Sequence, residues 1–205
     1  MSAEITLRDA APADAPAAAR LIHAAGSALY NRLFGPTPED ATRFFQTLFS
    51  LSESLFSYQN ALVAVQEGEV VGLALSIRAA DYHRGLDLPR QVLRRGLPFL
   101  FRLLAAALDL RHSTLTPPPE SYYLGILSVS ANCRGEGIGA RLLAEVHERA
   151  QVTGCACVCL HAERDNEGAR RFYERHGYQV THDRATPSAA RWGVTGFVGM
   201  QRELP

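Results

Sequence analysis

A glycine-rich segment, preceded by an apolar run and followed by helical periodicity, constrains the fold of this chain more than any other feature. Its residues are Arg134, Gly135, Glu136, Gly137, Ile138, Gly139 and Ala140. Glycines let a backbone approach a ligand without a clash at Cβ, and amide groups at a helix N-terminus bind phosphate oxygens. The segment therefore predicts a strand–loop–helix unit that binds a pyrophosphate. A glycine-rich turn that only packs a helix against a sheet has the same local pattern.

The regions around this segment show alternating strand and helix patterns. In the second half, we predict strands at 122–129, 155–162, 178–183 and 195–204, and helices at 137–153 and 166–176. In the first half, we predict a strand at 5–8, one helical stretch at 14–33, a helix from 37 or 38 to 49, and a hairpin of strands 61–66 and 70–78. No internal repeat or second domain is evident.

Residues 79–119 interrupt this order with an Arg- and Leu-rich insertion. We predict two short helices broken near residues 96–98 and a Pro-rich linker at 117–119. The apolar part at residues 97–110 is shorter than the roughly 20 residues that span a bilayer. Residues 86–110 are expected to cover the substrate side and form a partly apolar pocket, with a dimer contact or additional core as the alternative.

Composition limits the partners and the metal chemistry of the chain. Its 205 residues fit one domain, and 21 acidic residues balance 21 basic ones, so no net charge favours nucleic acid or an anionic membrane. Residues 1–9 lack the apolar core of a secretory signal, and we expect a cytoplasmic protein. Cys155, Cys157 and Cys159 alternate along one predicted strand, which favours free thiols over a zinc site.

The glycine-rich segment lacks the Gly-Lys-Ser/Thr ending of a P-loop and the full Gly-x-Gly-x-x-Gly of a dinucleotide fold. It resembles the CoA-binding signature of the GCN5-related N-acetyltransferase (GNAT) family, in which Arg or Gln is followed by x-x-Gly-x-Gly or Ala. The matching residues are Arg134, Gly137 and Gly139. The family usually has a proline three residues before the Arg, and this position is Ala131 here. That proline shapes the exit of the chain from the strand and takes no part in the chemistry, so its absence affects no catalytic step.

A second motif follows at the spacing that the same family shows. Its residues are Asn166, Ala169, Phe172, Tyr173, Gly177 and Tyr178. Asn166 and Tyr173 lie seven residues apart and are expected on one helix face, with the small Ala169 between them leaving room for a bound chain. Taken alone, an aromatic pair at a helix end is more often core.

The resemblance implies a fold class, a cosubstrate and a set of binding residues. The fold is α/β (α+β): a mixed, mostly antiparallel sheet flanked by helices and splayed between strands 122–129 and 155–162, as in acyl-CoA N-acyltransferases. Residues 1–205 would form one GNAT domain carrying the insertion. Acetyl-CoA is the implied cosubstrate, with no metal. Its pantetheine arm would lie along Leu127, Ser128 and Val129, its phosphates on residues 134–140, and Asn166 and Ala169 beside it.

The mechanism implied by the resemblance is direct attack of an amine on the thioester. A backbone amide near residues 127–129 would polarise the carbonyl, and Tyr173 would protonate the departing thiolate. No motif fixes the base, for which His161, Glu163, Asp81, His83 and water are candidates. Cys133 beside the loop leaves an acyl-cysteine route as a less favoured alternative.

We expect the acceptor to be a primary amine of a small molecule, with no nucleic-acid or membrane partner and a possible homodimer. A transferase for protein N-termini or lysine side chains, a non-catalytic acyl-CoA-binding regulatory module and a peripheral membrane protein are the alternatives. The acceptor itself is not predicted, because variable loops contact it in such a fold.

Overall fold

A seven-stranded sheet forms the centre of this computed structural model, which describes residues 4–35, 37–52, 54–82, 96–110 and 116–205. The strands are β1 (Ile5–Asp9), β2 (Ala61–Gln66), β3 (Glu69–Arg78), β4 (Ser121–Val129), β5 (Cys157–Glu163), β6 (Gln179–Ala185) and β7 (Gly196–Glu203). Their order is β1-β2-β3-β4-β5-β7-β6, and every neighbouring pair is antiparallel except β4 and β5. This confirms the mixed, mostly antiparallel sheet.

Helices cover both faces of the sheet. They are α1 (Ala15–Ala25), α2 (Ser27–Phe34), α3 (Pro38–Phe49), α4 (Leu97–Leu110), α5 (Ile138–Val152) and α6 (Glu167–Arg175). The first four share a core on one face, which contains a cluster of aromatic rings from Phe34, Phe44, Phe45 and Phe99. Helices α5 and α6 pack on the other face, where α5 buries its apolar stripe against β2, β3 and β4. Burial of apolar helix surfaces in these two cores is what holds the layers together.

The sheet splays between its two central strands. Strand β4 pairs with β5 only from Ser121 to Leu124, opposite Cys157 to Leu160. Beyond this point β4 stays on β3 while β5 stays on β7, so the strands diverge. A β-bulge at Gly125, where the β3–β4 register shifts, adds local twist at the point of divergence. The splay that the family resemblance implied is therefore present.

Two elements differ from the sequence prediction. The single helical stretch expected at 14–33 is divided at Gly26, where a Cβ atom would lie only 3.1 Å from the ring of Tyr30. Strand β5 begins at Cys157, not at residue 155, because the amide of Cys155 closes the end of α5 by donating to the carbonyl of Ala150 at 3.0 Å. Cys155 thus precedes the strand, while Cys157 and Cys159 are buried; all four cysteines are free thiols.

The insertion is described only in part. The first of its two predicted helices lies outside the described residues, and the second is α4, which buries Phe99 and Ala106 in the first core. The side chain of Asp109 accepts a hydrogen bond from Trp192 Nε1 at 2.9 Å and fixes the helix to the segment before β7. This part of the insertion is additional core. Across the described ranges, no helix combines the length and the apolar character needed to cross a bilayer.

Candidate active site

Three adjoining cavities pass through the splay. We name them the groove, of about 400 Å³, the splay cavity, of about 180 Å³, and the aromatic cavity, also of about 180 Å³. Asn166, Ala169 and Tyr173 line both the groove and the splay cavity. Tyr30, Tyr123, Gly125 and Ile126 line both the splay cavity and the aromatic cavity. A ligand pair could therefore meet at the splay from opposite sides.

The groove lies between the diverging end of β4 and helix α6. Eight of the predicted site residues line it, and they are Leu127, Ser128, Val129, Arg134, Gly139, Asn166, Ala169 and Tyr173. Strand β4 beyond Leu124 has no partner on its β5 side within the described sheet, so its polar backbone groups there face the groove. A strand edge of this kind hydrogen-bonds an extended amide-containing chain such as a pantetheine arm.

The glycine-rich loop ends at the N-terminus of α5. Gly135 and Gly137 have φ values of +86° and +78°, in the left-handed region that favours glycine, and Gly137 is the residue before the helix. The first amides of a helix have no acceptor within it, and no described residue accepts a hydrogen bond from the amides of residues 135–140. These amides and the exposed guanidinium of Arg134 suit a phosphate group.

Five of the predicted loop residues do not line the groove, and they are Gly135, Glu136, Gly137, Ile138 and Ala140. Ile138 is only 1% exposed and belongs to the second core, so only its backbone is available to a ligand. Glu136 accepts a hydrogen bond from Gln66 Nε2 at 3.2 Å, and Gly137 and Ala140 contribute no lining atoms. A phosphate would meet the backbone of this loop rather than its side chains.

Asn166 occupies the N-cap of α6 and not its interior, so the predicted helix at 166–176 begins one residue too early. Its Oδ1 accepts a hydrogen bond from the amide of Ala169 at 3.0 Å. This bond satisfies one of the free amides of the first helical turn. The residue thereby fixes the start of α6 and still lines both the groove and the splay cavity.

Tyr173 lies where the groove meets the splay cavity. Its side chain is 8% exposed, and its ring packs against Phe172 and Tyr178 with centroid distances of 5.3 and 5.5 Å. Burial raises the pKa of its phenol well above the ordinary value. The hydroxyl group is therefore protonated at neutral pH, as a proton donor must be before the reaction.

Two of the four candidate bases reach the splay cavity. His161 and Glu163 line it, whereas Asp81 lines none of the three cavities and His83 lies outside the described residues. Burial raises the pKa of Glu163, with a smaller effect from the charge of Asp165. Burial and the nearby His182 lower the pKa of His161 to about 4. His161 Nδ1 also lies 3.3 Å from the Tyr123 hydroxyl.

Cys133 does not lie in the cavities. It is half-buried against the second core, and no cysteine is among the described residues that line the groove or the splay cavity. An acyl-cysteine intermediate therefore has no support from the described geometry.

Several lining residues were not predicted from sequence. Ala24 and Ala25, at the end of α1, close one side of the groove, and Tyr30 and Tyr123 border the splay cavity. The alanines sit in an alanine-rich helix, and the tyrosines follow apolar periodicity. Each position has an ordinary core interpretation, so only the three-dimensional arrangement identifies it.

Comparison with known proteins yields one family. Residues 27–178 match the sequence model of the acetyltransferase (GNAT) family. The uncharacterized N-acetyltransferase YhfO of Bacillus subtilis strain 168 is 38% identical over 58 residues, which cover 28% of this chain and 39% of that relative. The chain thus spans well under half the length of this curated relative.

Solved structures share the fold. The N-acetyltransferase from Staphylococcus aureus Mu50 superposes with a TM-score of 0.69 at 20% identity, over 96% of this chain and 99% of that one. The PaiA N-acetyltransferase from Thermoplasma acidophilum, solved in complex with coenzyme A, gives a TM-score of 0.59 at 14% identity, over 98% and 99% of the two chains.

Proposed function

This chain belongs to the GNAT family of acetyltransferases, and we propose that it transfers an acetyl group from acetyl-CoA to a primary amine of a small molecule. One observation carries the proposal: Tyr173 lies at the junction of a groove suited to CoA and a second cavity suited to an acceptor. A non-catalytic acyl-CoA-binding module has no need for a buried, protonated phenol at that junction.

The proposed reaction is a direct transfer. The amine nitrogen attacks the thioester carbonyl, an N–C bond forms and the C–S bond breaks. The departing CoA thiolate takes the proton of the Tyr173 hydroxyl, which recovers a proton from solvent after product release. The proton lost by the amine passes to a base in the splay cavity. Holding both reactants at one junction supplies the entropic part of the rate enhancement.

We propose Glu163 as that base. A stronger base removes a proton from an ammonium more readily, and burial raises the pKa of Glu163, whereas the pKa of His161 is lowered to about 4. The carboxylate also attracts the positively charged amine before the reaction. His161, hydrogen-bonded to the Tyr123 hydroxyl, is instead a neighbour that helps to shape the cavity.

The space for the acceptor supports a small molecule over a protein substrate. The splay and aromatic cavities hold about 180 Å³ each and lie between the sheet and helices α1 and α2. A peptide acceptor requires a longer open channel, commonly lined with acidic residues. Among the described lining residues of these two cavities, Glu163 is the sole acidic side chain.

The proposal is tested first by calorimetric titration with acetyl-CoA. We expect the wild type to bind and a Gly137→Glu, Gly139→Glu double variant to lose binding, because two carboxylates at the loop repel the phosphates. Gly154→Glu is the control, because Gly154 does not line the groove and its φ of +72° is close to the +78° of Gly137. A side chain at residue 154 should therefore cause similar backbone strain without affecting the groove. A folded wild-type protein that fails to bind acetyl-CoA would refute the proposal.

Thiol release against a panel of amines then tests transfer. The sequence contains no lysine, so acetylation of the enzyme's own lysine side chains cannot contribute to the signal. We expect thiol release that depends on the added amine, with the acetylated amine identified by mass spectrometry. Binding of acetyl-CoA without transfer to any amine or peptide would favour the non-catalytic module.

A further inference from the structure

The aromatic cavity is lined by rings from four separate elements. Tyr30 comes from α2, Phe56 from the loop after α3, Tyr82 from the turn after β3 and Tyr123 from β4. The other lining residues are Leu55, Leu75, Ser76, Ile77, Gly125 and Ile126. We propose that the acceptor is an arylalkylamine, with its aromatic ring in this cavity and its amine in the splay cavity; this inference rests on the proposed function.

The size of the cavity fits one aromatic ring. An apolar cavity of about 150 Å³ in another protein is known to bind benzene. The aromatic cavity holds about 180 Å³, enough for a six-membered ring. Because the splay cavity shares four lining residues with it, a short linker between ring and amine spans the two.

The rings of the cavity are arranged to receive another ring. Tyr82 and Tyr123 meet edge to face, with centroids 5.3 Å apart and an interplanar angle of 89°. Aromatic rings prefer such tilted and offset contacts, and a third ring beside this pair finds both a face and an edge. Burial also holds the pKa values of both phenols above their ordinary value, so these rings bring no charge into the cavity at neutral pH.

The charges of the described lining residues count against two competing acceptor classes. No described residue that lines the aromatic cavity is acidic or basic. A carboxylate on the acceptor, as in an amino acid, would be buried there without a cation to pair with. The second ammonium of a polyamine would likewise be buried there without an anion, and burying an unpaired charge is costly. Among the described lining residues of the two cavities, the one acidic side chain, that of Glu163, lies in the splay cavity at the amine end of the acceptor. The distribution of charge therefore matches an amine with an uncharged apolar body.

The test compares kcat/KM for phenylethylamine, propylamine, phenylalanine and spermidine by thiol release. We expect phenylethylamine to exceed each of the others by about tenfold or more, as buried hydrophobic contacts of this size allow. Equal or better turnover of propylamine, phenylalanine or spermidine would overturn the inference and leave the proposed function standing. Turnover of none of the four, with acetyl-CoA binding intact, would overturn this inference and count against a small-amine acceptor as well.

A pair of variants tests whether the aromatic cavity causes the preference for phenylethylamine. Tyr82→Leu keeps an apolar side chain but removes a ring, and we expect the phenylethylamine-to-propylamine ratio to fall several-fold. Tyr58→Leu is the control, because Tyr58 packs against the first core without lining the cavity. Thermal melts check that both variants fold. An unchanged ratio in Tyr82→Leu, or an equal fall in Tyr58→Leu, would refute the placement of the ring.

Discussion

Removing only the hydroxyl group of Tyr173 separates its proposed chemical role from the packing of its ring. Tyr173→Phe keeps the aromatic contacts with Phe172 and Tyr178 at 5.3 and 5.5 Å. The lost function is general acid catalysis, which contributes on the order of 10² to 10⁴ in rate. This corresponds to about 2.7–5.5 kcal/mol of transition-state stabilisation. We expect kcat to fall by that factor while the Kd for acetyl-CoA stays within about twofold.

Tyr178→Phe is the matched control for this variant. Tyr178 is also buried, at 3% exposure, but its hydroxyl group lies 2.9 Å from His147 Nε2 and borders none of the three cavities. Losing that hydrogen bond costs about 1 kcal/mol of stability and should leave kcat unchanged. The assay is steady-state thiol release with saturating amine, together with calorimetric titration of acetyl-CoA. Equal kcat values for Tyr173→Phe and the wild type would remove Tyr173 from the mechanism.

The raised pKa of Tyr173 adds a pH criterion. A phenol that deprotonated near its ordinary pKa of about 10 would cause a loss of activity on approach to that pH. Burial moves the pKa of Tyr173 further up, so we expect no alkaline loss of kcat from this group below about pH 10. A loss of kcat near pH 8 in the wild type that is absent in Tyr173→Phe would show that burial does not raise the pKa of this phenol.

Substitutions at three further positions test the remaining assignments. Glu163→Gln should lower kcat/KM at neutral pH and abolish the acidic limb of the pH–rate profile. In the wild type, that limb should lie above the pH typical of an exposed carboxyl, because burial raises the pKa of Glu163. A limb retained in the variant would exclude Glu163 as the base. In the folded state the pKa of His147 is lowered from 6.5 to about 4, so between these pH values the unfolded state binds more protons than the folded state. The contribution of His147 to stability is therefore lost as the pH falls from 6.5 to about 4. His147→Phe should therefore reduce the decline in unfolding free energy between pH 7 and pH 5, measured by urea denaturation. Asn166→Ala should cost about 1 kcal/mol through loss of the N-cap, whereas Asn166→Asp retains a capping oxygen. Both should weaken acetyl-CoA binding in titrations; unchanged affinity in both would limit Asn166 to capping.

Much of the fold follows from patterns that the sequence displays directly. Apolar periodicity located all seven strands to within two residues, because a strand or helix that buries one face must repeat apolar residues at its own period. The errors lie where a local backbone contact decides the outcome. The break at Gly26 lies where the backbone leaves the helical region, at φ −156° and ψ 49°, and the late start of β5 depends on the hydrogen bond from Cys155 to Ala150. Periodicity carries no information about such contacts.

The two halves of the candidate site differ in how far the sequence predicts them. Apart from Ala24 and Ala25, the groove is lined by residues of three short segments, 127–129, 134–140 and 166–173. Under the proposed function, phosphate and pantetheine groups would be contacted largely by backbone atoms of this strand, loop and helix. Such contacts require glycines and small residues at fixed spacing, and that spacing is visible as a motif. The shift of Asn166 from the first residue of the predicted helix to the N-cap changes its bonding but not its place beside the groove.

The acceptor side has no motif because its residues meet only in three dimensions. Tyr30, Phe56, Tyr82 and Tyr123 lie in a helix, a loop, a turn and a strand, and no spacing in the sequence links them. The sequence does not show that these rings, all half-buried in the fold, enclose a space. It follows that substitutions among these four positions would change the amine that is accepted while leaving the CoA motif intact. Under the proposed function, specificity and cosubstrate binding are thus encoded in separable parts of the chain, and the variants at Tyr82 and at residues 137 and 139 test the two parts independently.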